Sequence, residues 1–159
     1  MLRPMIQIDD LSDDEITALL ESVGYGHLAC CNNDKPYVVP VHYAYHDGAV
    51  LIYTTEGKKF EIIKDNPNVC LQVEDVTDER HWSSVIVDGT AAQLTIGPER
   101  EEVLRKILER SPSLIPAVSV RWMDSWVREN IEVIYRVTIK ATSGRRTVNP
   151  QNAASVSEG

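Results

Sequence analysis

Gly57, Lys58 and Lys59 follow the threonine pair Thr54-Thr55 and open a short stretch that ends at Asn66-Pro67. At a helix start, free backbone N–H groups and the positive dipole end favour an anion. Threonine hydroxyls can donate to it, and two ammonium groups can neutralise a phosphate dianion. A glycine lets the backbone come close. The pattern is not a Walker motif, and a solvated lysine pair on a helix surface would look the same, so by itself it indicates only an anion site. A second group is Trp82, Ser83, Ser84 and Val85, entering a strand after a polar loop. Serine hydroxyls and strand backbone can pair with the polar edge of a heterocycle, and Trp82 offers a stacking face. The alternative is a tryptophan that anchors the strand in the core. The two groups share one ligand type, a phosphate joined to a flat ring.

Other reactive residues add little. His27, His42, His46 and His81 contain no pair at a metal spacing, and only His42 falls near the first group. A lone strand histidine is more often packed or hydrogen-bonded than an acid–base group. Cys30, Cys31 and Cys70, an odd count with no CxxC spacing, read as free thiols of a reducing cytosol, and side chains at 30 and 31 of one strand point to opposite faces and cannot converge on one metal. No metal site is expected. Asp13, Asp14 and Glu15 are helix-start carboxylates, and Arg145-Arg146 read as solvated tail charges.

The elements that must position these residues are mostly strands. Ser12 and Glu15 form a capping box, so a helix is expected over 13–22, with Ile16, Leu19, Leu20 and Val23 inward and Gly24 as its stop. Strands are expected over 25–31, 37–45, 49–54, 69–74, 82–95 and 131–141, with turns at 32–35 and 46–48. In the second strand, alternation puts Val39, Val41, Tyr43 and Tyr45 on one face and Val38, Pro40, His42 and Ala44 on the other. Pro40 cannot donate to a ladder, so that strand is interrupted or at an edge there, with backbone free to meet a ligand. A helix over 58–65 buries Phe60, Ile62 and Ile63; residues 75–80 form a charged connection; Gly89 marks a bulge. Gly97-Pro98 starts another helix with Val103, Leu104, Ile107 and Leu108 inward. Residues 111–130 read equally as a helix or an irregular lid, and 149–159 as a disordered tail. Six strands, with one short helix after the third and another before the last, suggest a small six-stranded antiparallel β-barrel, mainly β with flanking helices, in a single domain over 1–148.

Composition bounds the partners. The chain has 24 acidic and 16 basic residues, a net charge of −8, which argues against nucleic acid and anionic membranes as general partners. No apolar run approaches the length of a membrane span, and the N-terminus lacks the pattern of a signal peptide, so a cytoplasmic location is expected.

The stretches YVVPVHYAY, HDG, VLIYTTEGKKFEIIKDNPNVCLQVE and WSSVIVDGTA, with the terminal IYRVTIKATSGRR, resemble the flavin-binding split barrels of the pyridoxamine 5′-phosphate oxidase-like family. The flavour is nearest the 5-nitroimidazole-resistance reductases. The resemblance implies FMN held at a homodimer interface; the leading expectation is an FMN-dependent oxidoreductase of a small-molecule substrate, for which a reduced nicotinamide is a plausible donor that the residues themselves do not identify. By position it places Val39, Pro40, Val41 and His42 along the isoalloxazine, Tyr53 and Thr54 on the next strand, and Lys58 and Lys59 on the phosphate. Ser84 and Val85 match a segment that reaches the flavin, often from the partner subunit, with Trp82 and Ser83 beside it. Ala44 stands at a lysine-type position of the oxidases proper. Ile52, Tyr53 and Thr54 stand where some resistance proteins carry a functional histidine. Both departures argue against those two substrates. The rival expectation is a non-catalytic flavin, haem or deazaflavin carrier on the same barrel.

Overall fold

A computed structural model describes residues 3–95, 97–110 and 132–148. Its elements run β1 (Gln7–Asp10), α1 (Asp13–Val23), β2 (Tyr25–Asn32), β3 (Lys35–His46), β4 (Ala49–Thr55), α2 (Lys58–Asp65), β5 (Asn68–Asp78), β6 (His81–Gln93), α3 (Pro98–Arg110) and β7 (Glu132–Val148). All strand pairs are antiparallel, in the order β1-β7-β4-β3-β2-β5-β6, and a further β6–β7 pairing closes six of them into a ring. This is the expected mainly β split barrel with flanking helices. The short β1, which sequence alternation did not reveal, is added along the end of β7.

Local chemistry explains the frame. Ser12 caps α1 as a complete capping box, and Gly24 ends the helix at a left-handed φ of 73°. Asn33-Asp34 and Asp47-Gly48 all take positive φ, as two-residue hairpin turns require. At Gly89 the β6–β7 register shifts, and a Cβ there would lie 2.5 Å from the Thr138 carbonyl oxygen. The expected bulge is therefore also a close backbone approach.

Inward residues fill the ring: Leu28, Val50, Ile52, Leu71, Val73, Val85, Val87 and Val133, with Ile16 and Leu20 of α1 and Ile62 and Ile63 of α2 at its ends. A second cluster lies outside the wall, where Val103 of α3 covers Ala44, Leu51, Tyr53 and Ile134.

Several expectations need correction. Residues 75–80 are not a free connection, because β5 continues to Asp78 and pairs with β6 as a solvent-exposed ribbon that needs no apolar face. The last strand runs on to Val148, sustained by β6 on one side and β1 on the other. Arg146 is consequently no tail charge: its guanidinium pairs with Glu15 at 2.5 Å. Of the two alternatives at Pro40, the strand is not interrupted but runs on through it at an unpaired edge. Of the residues assigned inward on α3, Val103 is buried and Leu104 packs beside it, whereas Leu108 is 41% exposed. The readings of 111–130 and 149–159 fall outside the described residues, as does the side chain of Ile107.

Candidate functional site

The site follows from how far β3 and β4 stay together. They pair only from Tyr43↔Ile52 to His46↔Ala49. Beyond that, β4 keeps β7 as its partner through Thr55, and β3 keeps β2 through Lys35. The first part of β3 thus borders an open seam. The Tyr43 N–H donates to the Gly24 carbonyl at 3.1 Å, so odd-numbered residues of β3 turn their backbone groups toward β2. By alternation, the groups of Val38, Pro40 and His42 face the seam. Proline is at home there, since its missing N–H breaks no ladder bond.

Helix α2 closes the seam at its far end. Gly57 caps it without any side-chain hydrogen bond, at φ 174°, an extended conformation open to any residue. A Cβ on Gly57 would meet nothing within 4 Å, so the helix start opens onto free space. Lys58 Nζ lies 4.9 Å from the centre of the Tyr37 ring, which ties the helix start to the edge of β3. Lys59 is half-buried; burial pulls its ammonium pKa down, and the nearby Cys30 thiol opposes this. Thr54 is 7% exposed, and Tyr53 lies in the outer cluster.

Eight of the expected residues therefore surround one seam: Val39, Pro40, Val41 and His42 on β3, Tyr53 and Thr54 on β4, Lys58 and Lys59 on α2. Within this set Val39 and Val41 point inward, and their backbone serves β2. Trp82, Ser83, Ser84 and Val85 are not at the seam of their own chain. They lie on β6, which β2 and β5 separate from β3 on one side and β7 separates from β4 on the other. Val85 is fully buried and meets no ligand through its side chain. The Trp82 backbone N–H donates to Thr147 Oγ1 at 3.1 Å, fixing the strand entrance.

Three side chains near these residues were missed. Tyr25 stacks edge-on to both His27 and His42, and His27 is 3.4 Å from Gln72. Alternation alone places Tyr25 and His27 on one face, but their neighbours depend on a register that sequence does not fix. A cavity of about 550 Å³ opens elsewhere, between Met5 and Ile6 and the turn at Arg80 and His81, and contains none of the expected residues. Among the described residues no cluster of metal-ligating side chains occurs, and the Cys30 thiol points into the core while Cys31 is half-exposed.

A family model described as pyridoxamine 5′-phosphate oxidase matches residues 12–146. The chain belongs to this family. Within the family's fold, an FAD-binding protein from Mesorhizobium loti is 30% identical, with a TM-score of 0.71 over 91% of this chain and all of its own (100%). A protein from Bacteroides thetaiotaomicron, described as a 5-nitroimidazole antibiotic resistance protein, is 17% identical, with a TM-score of 0.69 over 91% of this chain and 90% of its own. An uncharacterized protein of Rhizobium meliloti (strain 1021) is 31% identical over 106 residues, 65% of this chain and 70% of its own. The resistance subgroup is thus one of several structural neighbours of this family member, not a marked nearest one. No helix among the described residues is long and apolar enough to cross a membrane.

Proposed function

We propose that the protein is an FMN-dependent oxidoreductase that holds its cofactor in the seam. The observation that carries this reading is the uncapped, open start of α2, with Lys58 and Lys59 at the end of an unpaired β3 edge. The residues fit the group: two ammonium ions and free helix-start N–H groups suit a phosphate, and the seam-facing backbone of Pro40 and His42 suits the polar edge of a flat ring. When bound, the flavin supplies the electron transfer, and the protein supplies orientation and local charge. Lys58 and Lys59 neutralise the phosphate, the strand end at Tyr53 and Thr54 borders the seam, and His42 lies beside the ring. A reduced nicotinamide is the proposed donor and a small planar molecule the acceptor. The motif order resembles that of the nitroimidazole-resistance reductases, but Ile52, Tyr53 and Thr54 favour a different acceptor from theirs.

The reading extends to a homodimer with two flavins. Ser84 and its neighbours lie on β6 and not on the seam strands, which supports a contact with the flavin of a second copy. The Mesorhizobium loti relative is named for binding FAD and for no activity, and the second reading is a flavin carrier without turnover. A single phosphate cradle favours the mononucleotide, and chromatography of the cofactor released by denaturation distinguishes FMN from FAD. Oxidation of NADH or NADPH by the loaded protein distinguishes enzyme from carrier.

The direct test is FMN titration of Lys58→Ala/Lys59→Ala. Hydrogen bonds to charged groups contribute roughly 1.5–3 kcal/mol each, so affinity should fall on the order of 100-fold or more while the melting temperature stays near the wild type. Unchanged affinity removes the phosphate assignment.

A further inference from the structure

Asn66-Pro67 ends α2, and the flavin reading leaves that dipeptide without a role. Asn66 uses every polar group it has. Its backbone N–H donates to the Ile62 carbonyl at 2.9 Å, closing the last turn of α2. Its side-chain Nδ2 donates to the Cys31 carbonyl of β2 at 2.9 Å. Its Oδ1 accepts at 3.2 Å from both the backbone N–H and the side-chain amide of Asn68, the first residue of β5. The orientation of the amide is forced, because the Cys31 carbonyl only accepts and the Asn68 backbone N–H only donates. Pro67 confines the residue before it to extended backbone, and Asn66 stands there at φ −138° and ψ 103°.

The place of this amide matters as much as its partners. The β2–β5 ladder ends at Cys30↔Val69, and its next pair would set Cys31 against Asn68. The Gly24 carbonyl, just before β2, accepts from Tyr43, so even-numbered residues of β2 serve β3 and the odd-numbered Cys31 faces β5. Asn66 therefore stands between the two backbone groups that would pair next, and serves both. The end of α2 is in this way built into the sheet. A second tether lies beside it, where Asn32 Nδ2 donates to Asp65 Oδ2 at 3.2 Å. The start of α2 has no side-chain cap. Apart from the burial of Ile62 and Ile63, the helix is thus aimed from its far end.

We propose that Asn66 is a positioning residue that sets the phosphate selectivity of the seam. By locking the end of α2 into the β2–β5 ladder, it aims Lys58 and Lys59 at the phosphate of a flavin mononucleotide. This rests on the flavin reading and deepens it, from holding a flavin to discriminating its phosphorylated form. Asn66 itself touches no ligand: the 8 residues of α2 span about 12 Å at about 1.5 Å each, and the lysines stand at the opposite end. Its effect should therefore appear only in what the phosphate contributes.

The test compares titrations with FMN and with riboflavin, the same ring without the phosphate. The wild type should prefer FMN on the order of 100-fold. Asn66→Ala should narrow that preference about 10-fold, the value of one hydrogen bond to a charged group, and leave riboflavin affinity unchanged. Asn66→Asp keeps an acceptor for Asn68 but sets an oxygen against the Cys31 carbonyl, and should narrow the preference as far. Asn32→Ala removes only the second tether and should narrow it about 3-fold; it decides the matter if the Asn66 variants do not fold. In the Lys58→Ala/Lys59→Ala background, Asn66→Ala should leave the preference where it is, because Asn66 acts through the lysines. Equal losses for the two ligands, an unchanged preference in these variants, or a further narrowing without the lysines each overturn the proposal while flavin binding stands. A wild type that binds both ligands alike removes the phosphate assignment and this proposal with it, and a folded wild type that ignores both removes the flavin reading.

Discussion

The barrel wall has two outer faces that the same strands treat differently. Over β4, β7 and the end of β3, Leu51, Tyr53, Ile134 and Ala44 are buried beneath Val103 of α3. Over β2, β5, β6 and the start of β3, no described helix lies outside the wall, and Val38 and Ile86 are 62% and 41% exposed. The first face is a second small core. The second carries exposed apolar residues beside the hydrogen-bonded polar side chains of His27, Gln72 and Ser84. The difference teaches that the helices cover one outer face of the barrel and leave the other open to solvent.

The sharpest way to break this comparison is to cut into the covered face. Leu51 is 3% exposed and sits between the barrel wall and α3, so Leu51→Ala should destabilise the protein by about 2–5 kcal/mol, read by denaturant unfolding. A loss below about 1 kcal/mol would mean that α3 rests on this face loosely, and that the two faces differ less than their burial indicates.

A smaller effect is expected where the ring meets α1. Tyr43 is buried, and its hydroxyl donates at 2.8 Å to the Leu20 carbonyl, one of the groups in the last turn of α1 that have no partner within the helix. Tyr43→Phe leaves that carbonyl unsatisfied and should cost about 1–3 kcal/mol at neutral pH. Burial pushes the Tyr43 phenol up to about 12, a Gly24 backbone hydrogen bond partly opposing it. The folded pKa lies above the unfolded value of about 10, so the neutral phenol's contribution is complete below about pH 10 and is lost as pH rises toward 12. Wild-type stability should therefore fall across that window, and Tyr43→Phe should fall less steeply. Tyr135, also raised by burial, remains in the variant and leaves a residual slope. Parallel slopes in both proteins would contradict the burial of Tyr43.

What the sequence made legible follows from how local each signal is. The capping box at Ser12, both hairpin turns and the helix start at Lys58 are set by residues within a few positions, and the structure has them where local chemistry puts them. The edge character of Pro40 was legible because proline lacks a donor wherever it lies. Partners across strands were not: Arg146 finds Glu15 far away along the chain, and Gln72 touches His27 and Ser84 only because β5 stands between β2 and β6. Alternation assigns a face and leaves the register open, so these contacts could not be read in advance. The ribbon at the end of β5 was missed for a related reason, since a strand exposed on both faces has no apolar period to reveal it.

The smallest effect on stability should come from the bare face, and there the comparison is sharpened most. Val38→Ser and Ile86→Ser remove apolar groups that are already largely in solvent, so unfolding of the isolated chain should change by no more than about 0.5 kcal/mol each. If a second copy covers this face, the same two changes should weaken self-association, visible as a rise in the monomer fraction by sedimentation velocity at micromolar protein. Leu51→Ala should behave in the opposite way, lowering stability with little effect on association. Substitutions on the bare face that leave a stable dimer intact would place the subunit contact elsewhere, and Ser84 would then have no neighbouring flavin to meet.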